Sequence, residues 1–329
     1  MRAITYRSLG PAADVLTLET LPKPVPCAGE VLVRVRFSGV NPSDVKLRGG
    51  ARPGVTKPPF PVMIPHSDGS GVIEAVGPGV PKDRIGERVW IWNAAWQRAH
   101  GTAAEYVALP QAQAVPLPDD VTLQTGAVLG IPGLTAAHCV FADGDVRGQT
   151  VLVSGGSGTV GLLAVQLARW GGAKVIATSS PALAGRVTAA GADAVLDYTA
   201  PDLAAQVLAA NDGRPIDRVI EVEAGRNIDM IAEVITIGGT IAAYGSAQRP
   251  EFQMPFYALM FKHVTLRMVL IYLLPMPERI QAIMRLHAAL TEGALNIDIA
   301  QILPAADCAT AHQAVEAGKR SGAILVDFA

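Results

Sequence analysis

The chain has 329 residues, half of them hydrophobic, which is enough for two domains of ordinary size and a large core. Its net charge of −2, with Lys and Arg scattered along the chain, leaves no electrostatic footprint for nucleic acid. The longest apolar stretch, near Met268–Leu274, is bounded by Arg267 and Pro275 and is too short to span a bilayer.

The N-terminus, Met1-Arg-Ala-Ile-Thr-Tyr6, lacks the apolar core of a signal peptide. Cys27, Cys139 and Cys308 lie far apart and form no Cys-x-x-Cys pair. They read as buried or incidental thiols in a reducing compartment, so a soluble cytoplasmic protein without a membrane partner is expected. The first third is β-rich. Val31, Val33, Val35 and Phe37 alternate along one face of a strand. Pro22, Pro24, Pro26, Gly29, Gly39, Pro42, Gly49 and Gly50 punctuate the segment, and Gly69–Val80 reads as a strand ending in a tight turn. Many short strands with such turns predict a compact, barrel-like domain.

From about residue 123 strands alternate with helices. Val151–Val153 precedes Gly161–Trp170, Lys174–Thr178 precedes Ala182–Ala190, and Ala194–Leu196 precedes Asp202–Ala210. Arg218–Val222 then precedes Asn227–Ile237, followed by strands at Thr240–Tyr244 and Val264–Tyr272. This alternation predicts an α/β, doubly wound parallel sheet. Pro277–Glu292 is an amphipathic helix between Pro277 and Gly293, and Ala323–Phe328 is a closing strand.

The turn after the first of these strands is glycine-rich: Ser154-Gly-Gly-Ser-Gly-Thr-Val-Gly161. Within it Gly156-x-Gly158-x-x-Gly161 has the dinucleotide-binding spacing. The first glycine permits a tight turn, the second admits a pyrophosphate, and the third lets the helix pack close to the strand. The N–H groups and positive dipole end of the helix then face the phosphates. Gly156, Ser157, Gly158, Thr159 and Val160 are therefore candidate cofactor contacts. A carboxylate about 20 residues past such a turn selects NAD by bonding the ribose 2′-hydroxyl. Here the second strand ends Ala177-Thr178-Ser179-Ser180, so three hydroxyls stand where a carboxylate would repel a 2′-phosphate. Arg186 approaches from the next helix. These residues point to NADPH.

The set Gly39-Val-Asn-Pro-Ser-Asp44, Asp68-Gly-Ser-Gly-Val-Ile-Glu-Ala-Val-Gly77, Gly86-Glu-Arg-Val89, Gly133-Leu-Thr135, Gly155–Gly161, Gly191-Ala-Asp193 and Gly238-Gly-Thr-Ile-Ala-Ala-Tyr-Gly245 resembles the zinc-independent quinone oxidoreductases. These are zeta-crystallin-like members of the medium-chain dehydrogenase/reductase superfamily. The likeness spans essentially the whole chain. It implies a GroES-like β-rich catalytic domain at 1–122 and 275–329, a Rossmann NADPH-binding domain at 123–274, and a homodimer, with Val264–Tyr272 as a pairing edge strand or else an ordinary buried one. By this resemblance Asn41 lies near nicotinamide and substrate, Thr135 contacts the nicotinamide side, Tyr198 lies beside the adenine, and Tyr244, Gly245 and Ser246 form the loop near the nicotinamide ribose. Simpler alternatives stand beside the first three: an Asx turn before Pro42, a helix N-cap at Thr135, a core aromatic at Tyr198.

The chain departs from the family pattern in places. Lys46 and Arg52 replace two substrate-region tyrosines, the usual 2′-phosphate lysine falls at Ala184, and an Asp-Ser pair reads Glu221-Val222. The cysteine position of the zinc-dependent relatives reads Asn41, and their Gly-His-Glu reads His66-Ser67-Asp68. A catalytic zinc needs three protein ligands, and no metal is expected. His66 is displaced by one residue, and His100, His138, His263, His287 and His312 read as core or surface histidines. No Gly-x-Ser-x-Gly elbow is present, so Ser154 and Ser157 belong to the glycine turn and not to acyl transfer. The expected activity is hydride transfer from NADPH to a quinone or a similar electron-poor acceptor, with Asn41 and Lys46 as catalytic candidates and Lys46 or solvent as proton source. Enone or enoyl acceptors are the near alternative. A catalytically idle NADPH-binding protein is the alternative from another class.

Overall fold

The computed structural model describes residues 1–52 and 54–329. The chain divides into two compact units, Met1–Ile131 with Ile297–Ala329, and Pro132–Asn296. Among the described residues no helix is long and apolar enough to cross a membrane.

Strands β1 (Arg2–Thr5) and β2 (Thr17–Thr20) form an antiparallel pair in the first unit. Then follow β3 (Glu30–Val40), β4 (Asp68–Val76), β5 (Arg88–Ile91), β6 (Tyr106–Pro110) and β7 (Ala114–Pro116). The second unit contributes β8 (Thr150–Val153), β9 (Lys174–Ser179), β10 (Ala194–Asp197), β11 (Ile216–Glu221), β12 (Ile235–Ala243) and β13 (Thr265–Met268). The tail adds β14 (Ile299–Pro304) and β15 (Ala323–Asp327).

In the first unit the long β3 organises a mixed sheet. It pairs antiparallel with β4, β6 and β15, so the chain's end completes a sheet begun near its start. The predicted alternation holds for Val31, Val33 and Val35, which pack with Ile73, Val89, Ile91, Val107 and Leu109. Phe37 keeps the period yet packs elsewhere, against Ala127, Val128 and Leu325. The register of β3 on β4 shifts between Val35 and Phe37. A bulge of this kind re-aims every side chain beyond it.

The second unit is a six-stranded sheet in the order β10-β9-β8-β11-β12-β13, every pair parallel. That is the doubly wound, Rossmann-type arrangement, with the order reversing beside β8. Its strands are apolar because helices cover both faces. Leu152, Ile176, Val219 and Ile241 pack with Val207, Ile228 and Ile231 of the flanking helices.

Three elements differ from the sequence reading. The stretch expected as one strand at Val264–Tyr272 is β13 only to Met268, followed by a 3₁₀ turn at Ile271–Leu273. Its partner β12 ends at Ala243, which accepts the Val269 N–H, so the ladder has nothing further to pair with. The 123–131 segment belongs to the first unit: the Ser70 hydroxyl donates to the Leu123 carbonyl at 2.5 Å, and Ala127 and Val128 fill the Phe37 cluster. The amphipathic helix, observed at Met276–Thr291, belongs to the second unit, and so the 275–296 segment does too. Arg285 pairs with Asp145, Trp170 Nε1 donates to Glu292 at 2.7 Å, and buried Gln166 exchanges hydrogen bonds with the Asn296 backbone at 2.6 and 3.0 Å. The family resemblance implied the other allegiance; contacts with Asp145, Trp170 and the buried Gln166 decide this one.

Candidate active site

The dinucleotide turn is built from backbone contacts that only glycines allow. A Cβ on Gly161 would lie 2.2 Å from the Gly155 carbonyl oxygen, closer than any real Cβ contact. Gly155 itself has φ +67°. The turn is pinned to β9 by Gly156 N–H donating to the Thr178 carbonyl at 2.8 Å, and by Gly155 N–H donating to the Thr178 hydroxyl at 3.1 Å. Helix Thr159–Trp170 starts at Gly158, and no side chain caps it. Its first N–H groups therefore need an outside acceptor, water or a phosphate. Gly158 is exposed and Ser157, Thr159 and Val160 are half-buried, so that end of the turn is open to a ligand.

Around this turn the expected contacts divide. Arg186 Nη1 donates to the Ser157 carbonyl at 3.0 Å, which holds a guanidinium at the phosphate loop. Tyr198 is exposed, with the Arg226 guanidinium 5.4 Å from its ring centroid, a cation–π distance. The core-aromatic alternative for Tyr198 is thus excluded. Thr178 and Ser179 are buried, and their hydroxyls are already committed, Thr178 to the turn and Ser179 to the Ser180 carbonyl at 3.0 Å. They brace the strand end, and Ser180 is the more open hydroxyl. Tyr244 and Gly245 continue β12 into a loop. Tyr244 N–H bonds the Glu221 carbonyl at 2.9 Å and the Gly245 carbonyl accepts from Ala224 at 3.0 Å. Ser246 Oγ accepts from Gly225 N–H at 2.9 Å and donates to the Arg249 carbonyl. Glu223, not singled out from the sequence, accepts the N–H groups of Ala247, Gln248 and Arg249 at 2.7–3.2 Å and so shapes that loop. Thr135 is the buried second residue of helix Leu134–Phe141 and not its N-cap, which is Gly133.

In the first unit Asn41 precedes helix Pro42–Arg48, and Pro42 opens it without losing a needed N–H. Asn41 N–H donates to Asp44 Oδ2 at 2.8 Å, and the Asn41 carboxamide donates from Nδ2 to Asp68 Oδ2 at 2.8 Å. All three are buried. A Cβ at Gly130 would lie 2.3 Å from Asp68 Oδ1, so glycine there makes room for the carboxyl. Burial pushes Asp44 up to about 7 from its usual 3.8, despite the Asn41 and Ser67 backbone bonds. Burial, with Asp44 nearby, holds Asp68 well above its usual value. Asp68 thus holds the Asn41 carboxamide in one orientation. Lys46 is not brought to this cluster. Asp44, Val45 and Arg48 face the core, whereas Lys46 projects from the exposed side of the same helix, where Gly10, Pro11, Val315 and Glu316 line a depression with it. Arg52 lies 4.8 Å over the Trp96 ring.

The residues at the positions of the zinc-dependent relatives' ligands named above do not fit a catalytic zinc. The Asn41 carboxamide is spent on Asp68, Ser67 occupies the histidine position, and His66 turns away to Ser38 and His312. The sequence reading treated those two histidines as unconnected. The spacing Cys308-x-x-x-His312 was the available signal, since residues four apart share a helix face.

One prediction follows from Asp44. Its folded-state pKa is raised, so the folded chain holds a proton that the unfolded chain has lost between about pH 4 and pH 7. Its contribution to stability therefore declines as pH rises through that window and is flat above it. Buried neutral His66, lowered to about 3, acts in the opposite direction, so the test compares variant with parent. Asp44→Asn keeps an oxygen for the Asn41 N–H and removes the titration. Relative to the parent it should gain up to about 4 kcal/mol between pH 4 and pH 8 in urea unfolding, from roughly three pKa units at 1.36 kcal/mol each. Parallel pH profiles for the two proteins would refute the assignment.

Comparison with known proteins gives a consistent picture. A family model for the alcohol dehydrogenase GroES-like domain matches residues 27–119, and one for zinc-binding dehydrogenases matches residues 159–289. The quinone oxidoreductase of Rattus norvegicus is 32% identical over 248 residues, covering 74% of this chain and 73% of that one. Among solved structures, a mycobacterial protein complexed with NADPH superposes with a TM-score of 0.85 at 30% identity over 99% of each chain. An NAD-dependent alcohol dehydrogenase does so with a TM-score of 0.88 at 29% identity over the full length of both.

Proposed function

The chain belongs to the quinone oxidoreductase family of the medium-chain dehydrogenase/reductase superfamily, and we propose that it is an NADPH-dependent, zinc-independent reductase of quinones or similarly electron-poor acceptors. The observation that carries the reading is the glycine cradle: backbone packed too closely for any side chain at Gly161, ending in an uncapped helix N-terminus. Bound NADPH supplies the hydride. Gly156, Ser157, Gly158, Thr159 and Val160 hold its pyrophosphate by backbone N–H groups. Arg186, beside them, would hold the 2′-phosphate together with Ser180, and Tyr198, with Arg226 over its ring, would hold the adenine. Thr135, Tyr244, Gly245 and Ser246 serve the nicotinamide end.

Asn41, its carboxamide held by Asp68, would orient the acceptor for hydride transfer. No metal or acid is needed to polarise the acceptor, because a quinone's own carbonyls make its ring electrophilic. The exposed Lys46 is not required as a donor, and solvent supplies the proton. The chain acts as a homodimer through the open edge of β13, where Met268 (65% exposed), Leu273 (63%) and Phe261 (77%) carry apolar surface that a second copy would cover.

Three measurements test this. For cofactor choice, kcat/KM should favour NADPH over NADH at least tenfold, and Arg186→Ala should erase most of that ratio. Equal values in the parent protein would refute the assignment, and the NAD-dependent structural relative makes this the discriminating ratio. For chemistry, NADPH oxidation should be brisk with 1,4-benzoquinone or 9,10-phenanthrenequinone, weaker with an enone, and unaffected by a chelator, while ethanol with NADP should be a poor substrate. Asn41→Ala should lower kcat/KM about tenfold or more, the value of one transition-state hydrogen bond, while Lys46→Ala changes it little. Ethanol oxidation without quinone turnover would overturn the mechanism. Tight NADPH binding with no turnover of any acceptor would favour the idle binding protein. For assembly, sedimentation should give twice the 34.3 kDa chain mass, and Met268→Asp should halve it. A monomer at micromolar concentration would rule out the dimer.

A further inference from the structure

We propose that His66, Cys308 and His312 form a closed binding site for one thiophilic metal ion of the zinc class, inside the first unit and separate from the Asn41 cluster. The ligand atoms of the three residues all lie within 4.8 Å of one another, and all three side chains are buried. Cys308 and His312 stand one turn apart on helix Cys308–Glu316, so both project from the same face. His66 reaches them from 246 positions away, its Nε2 2.8 Å from His312 Nε2. Two imidazoles and a thiolate are the donor set that zinc takes in preference to hard cations. On tetrahedral zinc, with bonds of about 2.0–2.1 Å to nitrogen and 2.3 Å to sulfur, the ligand atoms sit roughly 3.3–3.7 Å apart. To reach that geometry the observed spread of up to 4.8 Å closes by about 1 Å, and the 2.8 Å contact between His66 Nε2 and His312 Nε2 opens by roughly 0.5 Å or more.

Two further observations single out His66 as a prepared ligand. Its backbone is held at φ +74°, in the left-handed region that non-glycine residues rarely occupy, and this aims the ring at His312. Its tautomer is set by a chain of hydroxyls. Thr102 donates to the Asp68 carbonyl, which uses the only Thr102 hydroxyl proton. Ser38 Oγ lies 2.8 Å from Thr102 Oγ1 and must donate to it, and it also lies 2.8 Å from His66 Nδ1. His66 Nδ1 therefore carries the proton and donates to Ser38, leaving the Nε2 lone pair pointed into the cluster. A metal-bound histidine has this arrangement, with the distal N–H donated to a second group. Without metal, His312 Nε2–H donates to that lone pair. On binding, two Zn–N bonds and one Zn–S bond form, one water kept from the ion's hydration shell fills the fourth tetrahedral position, the His312 proton moves from Nε2 to Nδ1, and the Cys308 S–H proton leaves to solvent. No electron is transferred.

Because the cluster is closed, metal enters as the chain folds. The test is therefore expression of the full-length Cys27→Ser protein, which removes the exposed thiol, in cobalt- or zinc-supplemented minimal medium. One metal per chain is expected after gel filtration. The cobalt form should show visible tetrahedral d–d bands and a near-ultraviolet thiolate-to-cobalt band. Cys308→Ala should abolish the thiolate band and lower bound metal at least tenfold. X-ray absorption on the zinc form, which needs no core variant, should fit one sulfur, two imidazole nitrogens and one water oxygen. Metal content well below one per chain overturns the proposal, as does a shell without sulfur or an unchanged spectrum in folded Cys308→Ala. In that case the cluster is a hydrogen-bonded histidine pair in the core.

Discussion

The cofactor end of this protein rests on one steric fact: at Gly161 the helix lies against the turn so closely that a single methyl group would overlap the Gly155 carbonyl. That approach sets where helix Thr159–Trp170 begins, and therefore where its unpaired N–H groups point. The rest of the neighbourhood is arranged around it. Thr178 gives both its carbonyl and its hydroxyl to hold the turn, and Arg186 crosses it through the Ser157 carbonyl. Glu223 performs the same service for the loop after β12, gathering three successive N–H groups onto one carboxylate.

The first unit solves a different problem. It buries Asn41, Asp44 and Asp68 together, and among the described residues no salt bridge joins either carboxyl to a cation. Two carboxyl groups in a dry site favour a proton over a charge, and the raised values of both follow from that. A neutral or singly charged pair can still accept the Asn41 hydrogen bonds, and the result is an amide whose orientation is fixed before any ligand arrives. Preorganisation of this kind suits a reaction in which the cofactor carries the chemistry and the protein supplies position.

Zinc-dependent and zinc-independent chemistry can occupy one fold because the scaffold sets places and the side chains at those places set the reaction. Here the residues corresponding to catalytic zinc ligands are an amide bound to a carboxyl, and a serine. The histidine next to them is turned into the core. One of its two partners, Ser38, lies on β3, and the other, His312, comes from the chain's tail, in the unit whose sheet β15 completes.

The sequence alone determined the glycine turn, the alternation of strands and helices from β8 onward, the closing strand, read as Ala323–Phe328 and observed at Ala323–Asp327, and the missing carboxylate after β9. Each is written in residues a few positions apart, because local spacing dictates local backbone geometry. Tertiary structure decided the rest. It sent Phe37 to a second cluster through a bulge in β3, assigned the Met276–Thr291 helix to the second unit, and placed Lys46 on the exposed side of its helix. It spent the Thr178 hydroxyl on the turn and set His66 against His312. These outcomes depend on which distant backbone lies alongside, and that is fixed by strand register and by the partners that buried polar groups must find. No spacing within a single segment encodes either.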